Sequence, residues 1–467
     1  MSRNPVGRTT SITAVALSAA LVAACGGGGG DAGDGTIKLS IGVFSDFGYT
    51  NLIKEYQAAH PGIEIEQRTV KMEQHHTQLA TQLAGGRGAA DIVAIEEGAI
   101  AQFRQSKDKF VNLADYGAKE LEGQWAAWKW NQGTTDNGDF VLGLGTDMGS
   151  LALCYRRDLF EAAGLPSDRE SVGALWPTWE DYARVADTFS RKTPGVKFLD
   201  AAQNVYKAIL DQTEEGYFAK ADDSFIGDRN DKVEKAFTLA ASLGEKKQTA
   251  AVAPFSQDWN VALKQASFAT TTCPAWALAL IKAGAGDEAA GKWDVAAAPG
   301  GGGNWGGSFL AVPKQGKHPK AAYELAKWLT APEQQKRIFK ETGNLPSEPA
   351  AYQDPEVTAT TNEYFNSAPV GRIFGDSAES LKPTYRGTKD TKVTPVFNNA
   401  LSRVETGKQS AADAFAQAVG DARDAQMSLS HRMGRGGDGA RRPSRRPRGA
   451  CRGATGWAGS TRSTRPT

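Results

Sequence analysis

One stretch decides the fold class: Asp91-Ile92-Val93-Ala94-Ile95, which runs directly into Glu96-Glu97-Gly98. After its first residue the stretch is an uninterrupted apolar run, rich in β-branched side chains. A short apolar run that ends at acids and a glycine is typical of a strand buried on both faces of a parallel sheet. The sequence on either side must therefore supply the other elements of such a sheet.

The sequence before this strand alternates between strand and helix patterns. Apolar residues take every second position of residues 36–44, which is the period of a strand. The elements predicted next are a helix over 50–59, a strand over 63–70 and a helix over 72–83. The resulting β-α-β-α-β order predicts an open α/β sheet. Ligands of such sheets bind beyond the carboxyl ends of the strands, where Asp46-Phe47 and Glu96-Glu97 lie here.

The start of the chain has the pattern of an export signal over residues 1–24. A basic beginning precedes an apolar run over residues 12–22, which is too short to span a bilayer. Leu21-Val22-Ala23-Ala24-Cys25 then predicts a lipobox, in which Cys25 carries the lipid anchor and becomes the mature N-terminus. The glycine-rich residues 25–35 predict a flexible tether. The alternative is an ordinary cleaved signal peptide, because the same small residues suit that cleavage.

Length and charge limit the class of protein. The chain has 467 residues, enough for two lobes of ordinary domain size. Its formal net charge is +1, but residues 26–430 alone carry a net charge of −10, because ten arginines lie after Ser430. An acidic body argues against nucleic acid as a partner.

The composition changes after Ser430. Arginine, glycine, proline, serine and threonine dominate residues 431–467, so this tail is predicted to be disordered. One interpretation is a basic arm that touches anionic lipid or cell-wall polymer. The alternative is a frame-shift artefact, because a shifted reading frame in a GC-rich gene yields this composition.

The four cysteines divide by position. Cys25 belongs to the lipobox and Cys451 to the tail, which leaves Cys154 and Cys273. In an oxidising compartment two such residues are candidates for a disulfide bond. The alternative is a pair of buried, reduced thiols that pack as small apolar groups.

The middle of the chain continues the α/β pattern. Strands are predicted over 141–144, 150–155, 268–273, 293–295 and 308–312. Thr178 with Asp181 predicts the capped start of a helix. Glycines over 300–307 predict a loop, and residues 369–375 are also interpreted as a loop.

Several motifs together resemble the family-1 extracellular solute-binding lipoproteins of ABC sugar importers. They are the lipobox, Gly145-Thr146-Asp147, Leu151-Ala152-Leu153-Cys154-Tyr155, Cys273-Pro274-Ala275-Trp276 and Asn344-Leu345-Pro346. Three segments are most similar to actinobacterial binders of cellobiose: residues 91–97, 174–179 and 303–309. The resemblance covers residues 36–428. Arg156 departs from it, since the family usually has Asn after this Tyr.

The resemblance implies a two-lobed α/β fold of the periplasmic-binding-protein type (type II), with crossing strands as a hinge. It places residues 36–150 and 298–343 in the N-terminal lobe. It places residues 151–297 and 346–428 in the C-terminal lobe. The crossings are expected near 149–155, 298–308 and 344–346, so Cys154 and Cys273 would lie on strands of one lobe close to the hinge.

The resemblance also implies a sugar in the cleft between the lobes. A pyranose has an apolar C–H face that an aromatic ring can cover, and hydroxyls that carboxylates, amides and guanidinium groups bind. The predicted sugar-binding residues are Asp46, Phe47, Glu96, Asp147, Trp276, Asn304, Trp305 and Arg372. For each of them, core packing or a solvated turn is the structural alternative.

Enzymatic function is not indicated. Of the five histidines only His75 and His76 are neighbours, and adjacent helical residues point in different directions, which makes a poor metal pair. GxSxG, HExxH and CxxC do not occur, and the glycines at 300–307 lack the Lys-Ser/Thr of a phosphate loop. We therefore expect no metal, no cofactor and no catalytic residue. A cell-surface glycosidase with paired carboxylates is the alternative from another class.

The resulting hypothesis is a monomeric receptor on the outer face of the cell membrane, lipid-anchored through Cys25 with palmitate among its acyl groups. It would capture cellobiose or a short β-gluco-oligosaccharide and deliver it to the permease subunits and their ATPase. Other solutes remain open, namely an α-glucoside, a xylo-oligosaccharide or chitobiose.

Overall fold

A computed structural model describes residues 36–427. The predicted signal peptide, Cys25, the tether and the Arg-rich tail over 431–467 lie outside the described residues. Within residues 36–427, every helix is too short or too polar to cross a lipid bilayer.

Residues 36–427 contain thirteen strands, several of them only two residues long. The strands are β1 Ile37–Val43, β2 Ile63–Thr69, β3 Ile92–Glu96, β4 Thr134–Thr135, β5 Phe140–Val141, β6 Gly143–Gly145, β7 Asp147–Met148, β8 Leu151–Arg156, β9 Lys197–Leu199, β10 Phe268–Pro274, β11 Trp293–Ala297, β12 Ser308–Ala311 and β13 Leu345–Pro346.

The same residues contain eighteen α-helices. They are α1 Tyr49–Ala59, α2 Met72–Gly85, α3 Glu97–Arg104, α4 Ala127–Gly133, α5 Arg157–Ala162, α6 Arg169–Ala174, α7 Trp179–Lys192, α8 Ala202–Leu210, α9 Asp231–Glu245, α10 Gln257–Lys264, α11 Ala277–Ala285, α12 Pro319–Leu329, α13 Pro332–Thr342, α14 Pro349–Tyr352, α15 Pro355–Thr358, α16 Val370–Glu379, α17 Asp390–Glu405 and α18 Ala411–Met427.

The first lobe is built on a five-stranded sheet with the order β2-β1-β3-β12-β6. Strands β1, β2 and β3 are parallel, as the β-α-β-α-β pattern predicted, whereas β12 runs antiparallel to both of its neighbours. Successive β3 residues enter different core clusters: Ile92 and Ala94 pack on one face, Val93 and Ile95 on the other. The apolar run is therefore the central buried strand that its sequence predicted.

The second lobe is built on a four-stranded sheet with the order β11-β8-β10-β9. Strand β8 is buried along its whole length. Its residues alternate between two cores, with Leu151 and Leu153 in one and Ala152 and Cys154 in the other. This alternation is the period of two that a strand imposes on side chains.

A disulfide bond joins Cys154 on β8 to Cys273 on the neighbouring strand β10, with their Cα atoms 5.7 Å apart. Both side chains are fully buried in the same core. Cys154 and Cys273 are therefore disulfide-bonded and are not a pair of reduced thiols.

Three crossings connect the sheets. The first runs through β7 into β8, and the second runs from β11 to β12 through the glycine-rich residues 298–307. The third crossing is β13, which pairs antiparallel with β7. A bridge between Ser150 and Asn304 ties the first two crossings together.

The crossing backbones approach each other more closely than a side chain would allow. A Cβ added at Gly149 would lie 1.8 Å from the carbonyl oxygen of Trp305, and one at Gly307 would lie 2.3 Å from that of Asp147. Glycine is therefore required at both positions, and at Gly307 a positive φ of 104° adds to the requirement.

Residues 369–375 are not the loop that the sequence predicted. They form the start of α16, whose residues Val370, Phe374 and Ala378 recur every fourth position and pack into a core. Gly371 lies inside this helix and serves close packing, because a Cβ there would lie 1.7 Å from the carbonyl oxygen of Val357.

Candidate functional site

Glu96 lies at the carboxyl end of β3 and caps the start of α3. Its Oε2 accepts a hydrogen bond of 2.7 Å from the Gly98 amide. Burial and the adjacent Glu97 carboxylate raise the pKa of Glu96 to about 7, while the charges of Lys207 and Arg386 act in the opposite direction. Glu96 belongs to the first lobe and these cations to the second, so the carboxyl faces the cleft between the lobes.

Three aromatic rings meet in what we call the aromatic corner: Phe255, Trp276 and Trp305. Glu96 lies beside it, since a Cβ added at Gly306 would be 3.3 Å from Glu96 Oε1 and 3.9 Å from Trp276 Nε1. The Trp276 and Trp305 rings are nearly perpendicular, with centroids 6.4 Å apart. The Phe255 ring lies 5.2 Å from Trp276 and 6.0 Å from Trp305. Both tryptophans are half-buried and Phe255 is 38% exposed, so the corner presents ring surface to solvent.

Backbone contacts fix the two tryptophans. Trp276 follows β10 and caps the start of α11, and its Nε1 donates to the carbonyl oxygen of Trp305 at 3.2 Å. The Trp305 amide donates to the carbonyl oxygen of Gly149 at 2.8 Å. The aromatic corner is therefore attached directly to the hinge crossings.

Phe255 has a left-handed backbone with φ of 63°. A non-glycine residue in that region costs about 1–2 kcal/mol. Such strain persists only where the surroundings impose it, and it is common where a side chain must be presented to a ligand. Sequence reasoning missed this ring; the available signal was an aromatic residue directly after Pro254 in a segment without strand or helix pattern.

Asp147 and Asn304 occupy the hinge. The Asp147 Oδ1 accepts from the Thr146 hydroxyl at 2.6 Å and from the Ser308 amide at 3.0 Å. The Asn304 Oδ1 accepts from the Gly149 amide at 2.9 Å, and its Nδ2 donates to Glu97 at 3.0 Å. Asn304 is thus committed to protein contacts, and Asp147 is half-buried.

Four charged side chains form an alternating row that we call the ion chain: Lys207, Asp211, Arg386 and Glu97. The Lys207 ammonium contacts Asp211 at 2.9 Å and lies 5.3 Å from the centroid of the Trp305 ring. Arg386 then bridges Asp211 at 2.6 Å and Glu97 at 3.4 Å. Sequence analysis missed these residues as a group because Arg386, which joins the Lys207–Asp211 pair to Glu97, lies far from both of its partners in the chain.

A further cation lies behind the carboxylates. Lys129 on α4 is fully buried, and its ammonium lies 4.1 Å from the centroid of the Phe309 ring. Burial lowers the pKa of Lys129, and the carboxylates of Asp147, Glu97 and Glu96 oppose that shift. The negative groups at the cleft therefore have a buried amine beneath them.

Three predicted site residues lie outside this constellation. Phe47 packs into the first core, with its ring 5.2 Å from Phe44 and 5.5 Å from Tyr49, and is only 5% exposed. The Phe47 ring therefore packs in the core below α1 and does not form a wall of the cleft. Asp46 is exposed, and its carbonyl oxygen accepts from Asn344 at 3.1 Å near the third crossing. Arg372 is exposed on α16.

The arrangement suits a neutral ligand with hydroxyl groups. Ring faces at the aromatic corner can cover an apolar surface, while Glu96 and Asp147 can accept hydrogen bonds. Across residues 36–427, the His, Cys, Asp and Glu side chains form no group of three or more that is spaced to hold a metal ion.

Comparison with known proteins places the chain in one family. Residues 51–365 match the family described as bacterial extracellular solute-binding protein. A crystal structure of an extracellular solute-binding protein of family 1 is 42% identical, with a TM-score of 0.76, and the match covers 83% of this chain and 99% of that one.

More distant relatives are also binding proteins. The arabinooligosaccharide-binding protein of Bacillus subtilis is 23% identical over 76% of this chain and 83% of its own length. The transporter-associated binding protein of B. animalis subsp. lactis in complex with β-1,6-galactobiose is 20% identical, with a TM-score of 0.71 over 85% and 98% of the two chains. These proteins bind solutes instead of transforming them, and the chain belongs to the bacterial extracellular solute-binding proteins.

Proposed function

We propose that this protein is the receptor of an ABC sugar importer and that it captures a short β-linked gluco-oligosaccharide, with cellobiose as the first ligand to test. The observation that carries the proposal is the aromatic corner beside Glu96. It combines exposed ring surface with a carboxylate that already lies at the end of a buried strand.

The chemistry of a pyranose fits this corner. Covering one C–H face of a sugar ring with an indole is worth on the order of 1–2 kcal/mol by buried area. Two perpendicular tryptophans can cover two faces of a bent ligand, or the face and the end of a straight one. Glu96 and Asp147 then select for hydroxyl groups, because a hydroxyl can donate to a carboxylate where a hydrocarbon cannot.

The relatives support an oligosaccharide as the class of ligand. Their names refer to an arabino-oligosaccharide and a galactobiose, which differ in sugar and in linkage. The preference for a β-gluco-oligosaccharide rests instead on the segments around Glu96, Trp176 and Trp305, which resemble cellobiose binders. An α-glucoside, a xylo-oligosaccharide and chitobiose are the competing ligands.

Delivery follows from the same proposal. The receptor is exported, held at the outer face of the membrane by a lipid on Cys25, and docks as a monomer on the permease subunits, whose ATPase drives uptake. Replacing Cys25→Ser should release the protein into the medium, as measured by fractionation and immunoblotting. Persistent membrane attachment of this variant would contradict the lipid anchor.

Calorimetric titration tests the ligand. The chain from Gly26 to Thr467 is titrated with cellobiose, cellotriose, maltose, xylobiose and chitobiose, and each sugar is then analysed for shorter products. We expect tight binding of cellobiose or cellotriose with the sugar recovered intact. Binding of another sugar alone would replace the proposed ligand, and released shorter sugars would contradict a receptor.

A further inference from the structure

We propose that Arg386 is a positioning residue that fastens the two lobes in their closed arrangement, through Glu97 on the first lobe and Asp211 on the second. The inference rests on the proposed function only for its effect on sugar affinity. Its effect on the shape of the protein can be measured without any sugar.

Arg386 lies where the two lobes touch. It precedes α17, which packs with the helices of the second lobe, and its Nη2 donates to Asp211 Oδ1 at 2.6 Å. Its Nε points the other way and donates to Glu97 Oε1 at 3.4 Å. Glu97 is the first residue of α3, directly after the central strand of the first sheet. One guanidinium group thus spans both lobes.

Glu97 connects this contact to the hinge. Its other carboxylate oxygen accepts from Asn304 at 3.0 Å, and Asn304 in turn holds the Gly149 amide at 2.9 Å. The Gln132 side chain of α4 donates to Glu97 at 2.9 Å. Because one carboxylate touches both lobes and a crossing strand, displacement of any of the three disturbs the others.

Burial makes the fastening effective. The side chains of Glu97 and Asp211 are 3% and 0% exposed, and that of Arg386 is 14% exposed. Charges in such surroundings are poorly screened by salt, and each depends on its partner because water cannot replace it. Asp211 retains Lys207 at 2.9 Å when Arg386 leaves, whereas Glu97 would lose its cation.

Glu97 moves with α3 and Arg386 with α17, so opening the cleft would break their contact and closure would restore it. A neighbouring contact between the same helices, Thr391 Oγ1 to Gln102 Oε1 at 3.1 Å, supports this closure. A contact that is present in one state alone shifts the population toward that state. Arg386 therefore raises the fraction of sugar-free protein that is already closed, and thereby the apparent affinity.

The test compares Arg386→Gln, which removes the charge, with Arg386→Lys, which keeps the charge but loses the planar fork. Arg191→Gln is the matched control, since Arg191 is an exposed arginine on α7. Small-angle X-ray scattering of each sugar-free protein gives the radius of gyration. Cellobiose titration and stopped-flow dissociation give the affinity and the off-rate, and circular dichroism confirms that each variant is folded.

We expect Arg386→Gln to enlarge the radius of gyration without sugar, to weaken affinity about tenfold and to raise the off-rate, with Arg386→Lys intermediate. Unchanged scattering of folded Arg386→Gln would overturn the proposal, whatever the affinity does. If the wild type binds none of the sugars, the proposed ligand fails, while scattering still decides on the fastening. Arg191→Gln should match the wild type in every measurement.

Discussion

The cleft has two sides of opposite character, the aromatic corner and the ion chain. At the aromatic corner Phe255 is 38% exposed, both tryptophans are half-buried, and ring surface faces solvent. Along the ion chain every charge already has a partner of opposite sign, and Asp211 and Glu97 are almost completely buried. The aromatic corner has exposed surface that a ligand could contact, whereas the charges of the ion chain are already paired.

The difference separates two tasks that a closing receptor must perform. A ligand can add contacts at the aromatic corner because nothing in the protein occupies its exposed faces. A ligand at the ion chain would have to displace an existing ion pair and pay for desolvating its own groups. Under the proposed function, ligand recognition belongs to the aromatic corner and the relative placement of the lobes to the ion chain.

The largest effect is expected for Asp211→Ala, which leaves Lys207 and Arg386 without their shared partner. The free energy of unfolding should fall by about 3–5 kcal/mol, since removing one side of a buried ion pair leaves an uncompensated charge. Denaturant titration measures it. The matched control is Asp231→Ala, which breaks the exposed i,i+4 pair with Lys235 and should cost about 0.3–0.5 kcal/mol. If both variants lost the same free energy of unfolding, the buried ion chain would be no more important for stability than an exposed ion pair.

Substitutions at the aromatic corner should lower the affinity for sugar and leave the stability of the protein unchanged. We expect Trp276→Ala and Trp305→Ala each to weaken sugar binding about tenfold, or about 1.4 kcal/mol, because a stacking surface is lost. Calorimetry measures the affinity and thermal melting checks the fold. Trp328→Ala, at a half-buried tryptophan that packs on the first-lobe core with its ring 5.2 Å from Tyr56, should leave the affinity unchanged. Full affinity in both corner variants would remove the proposed site.

Glu96 should make binding depend on pH. Its pKa of about 7 means that the carboxyl is ionised above that value and protonated below it. A carboxylate accepts a hydroxyl more strongly than a neutral acid does, by about 1 kcal/mol. Affinity should therefore fall about fivefold from about pH 8 to about pH 6, with a midpoint near 7.

The control for this pH dependence is Glu96→Gln, whose side chain does not titrate. Its affinity should be constant across the same range and close to that of the protonated wild type. A wild-type affinity that does not change with pH would indicate that Glu96 makes no contact with the ligand.

The smallest effect is expected at Phe255, whose ring forms the outer edge of the aromatic corner. Phe255→Ala should weaken affinity about threefold, or about 0.7 kcal/mol, because only part of the ring can contact a ligand. Leu280→Ala removes a comparably exposed apolar side chain on α11, at 42% exposure, and should have no effect on binding. A tenfold loss at Phe255 would place the ligand further out than proposed.

Local patterns in the sequence predicted most of the frame. The strand around Ile92–Glu96 and its neighbours form as the periodicity indicated, with boundaries within a few residues. The capping box of Thr178 and Asp181 is present at the start of α7. These features depend on neighbours within one element, which a single sequence contains.

The ion chain could not be predicted in the same way. Arg386 lies 289 positions from Glu97 and 175 from Asp211, so no spacing connects them. Charged residues in a sequence usually indicate a solvated surface, whereas here the fold buries them. The loop predicted over residues 369–375 was wrong for a related reason. Gly371 serves close packing against Val357, and a contact between separate segments cannot be seen in a local pattern.

The glycines of the crossing strands have a consequence for how this protein can vary. Because the backbone of Gly149 contacts that of Trp305, and the backbone of Gly307 contacts that of Asp147, no side chain fits between them. In a saturation mutagenesis library selected for growth on the transported sugar, both positions should therefore tolerate glycine alone. If the proposed site is right, the exposed end of the aromatic corner could by contrast exchange residues and so acquire new sugars, while the hinge beneath it stays constant.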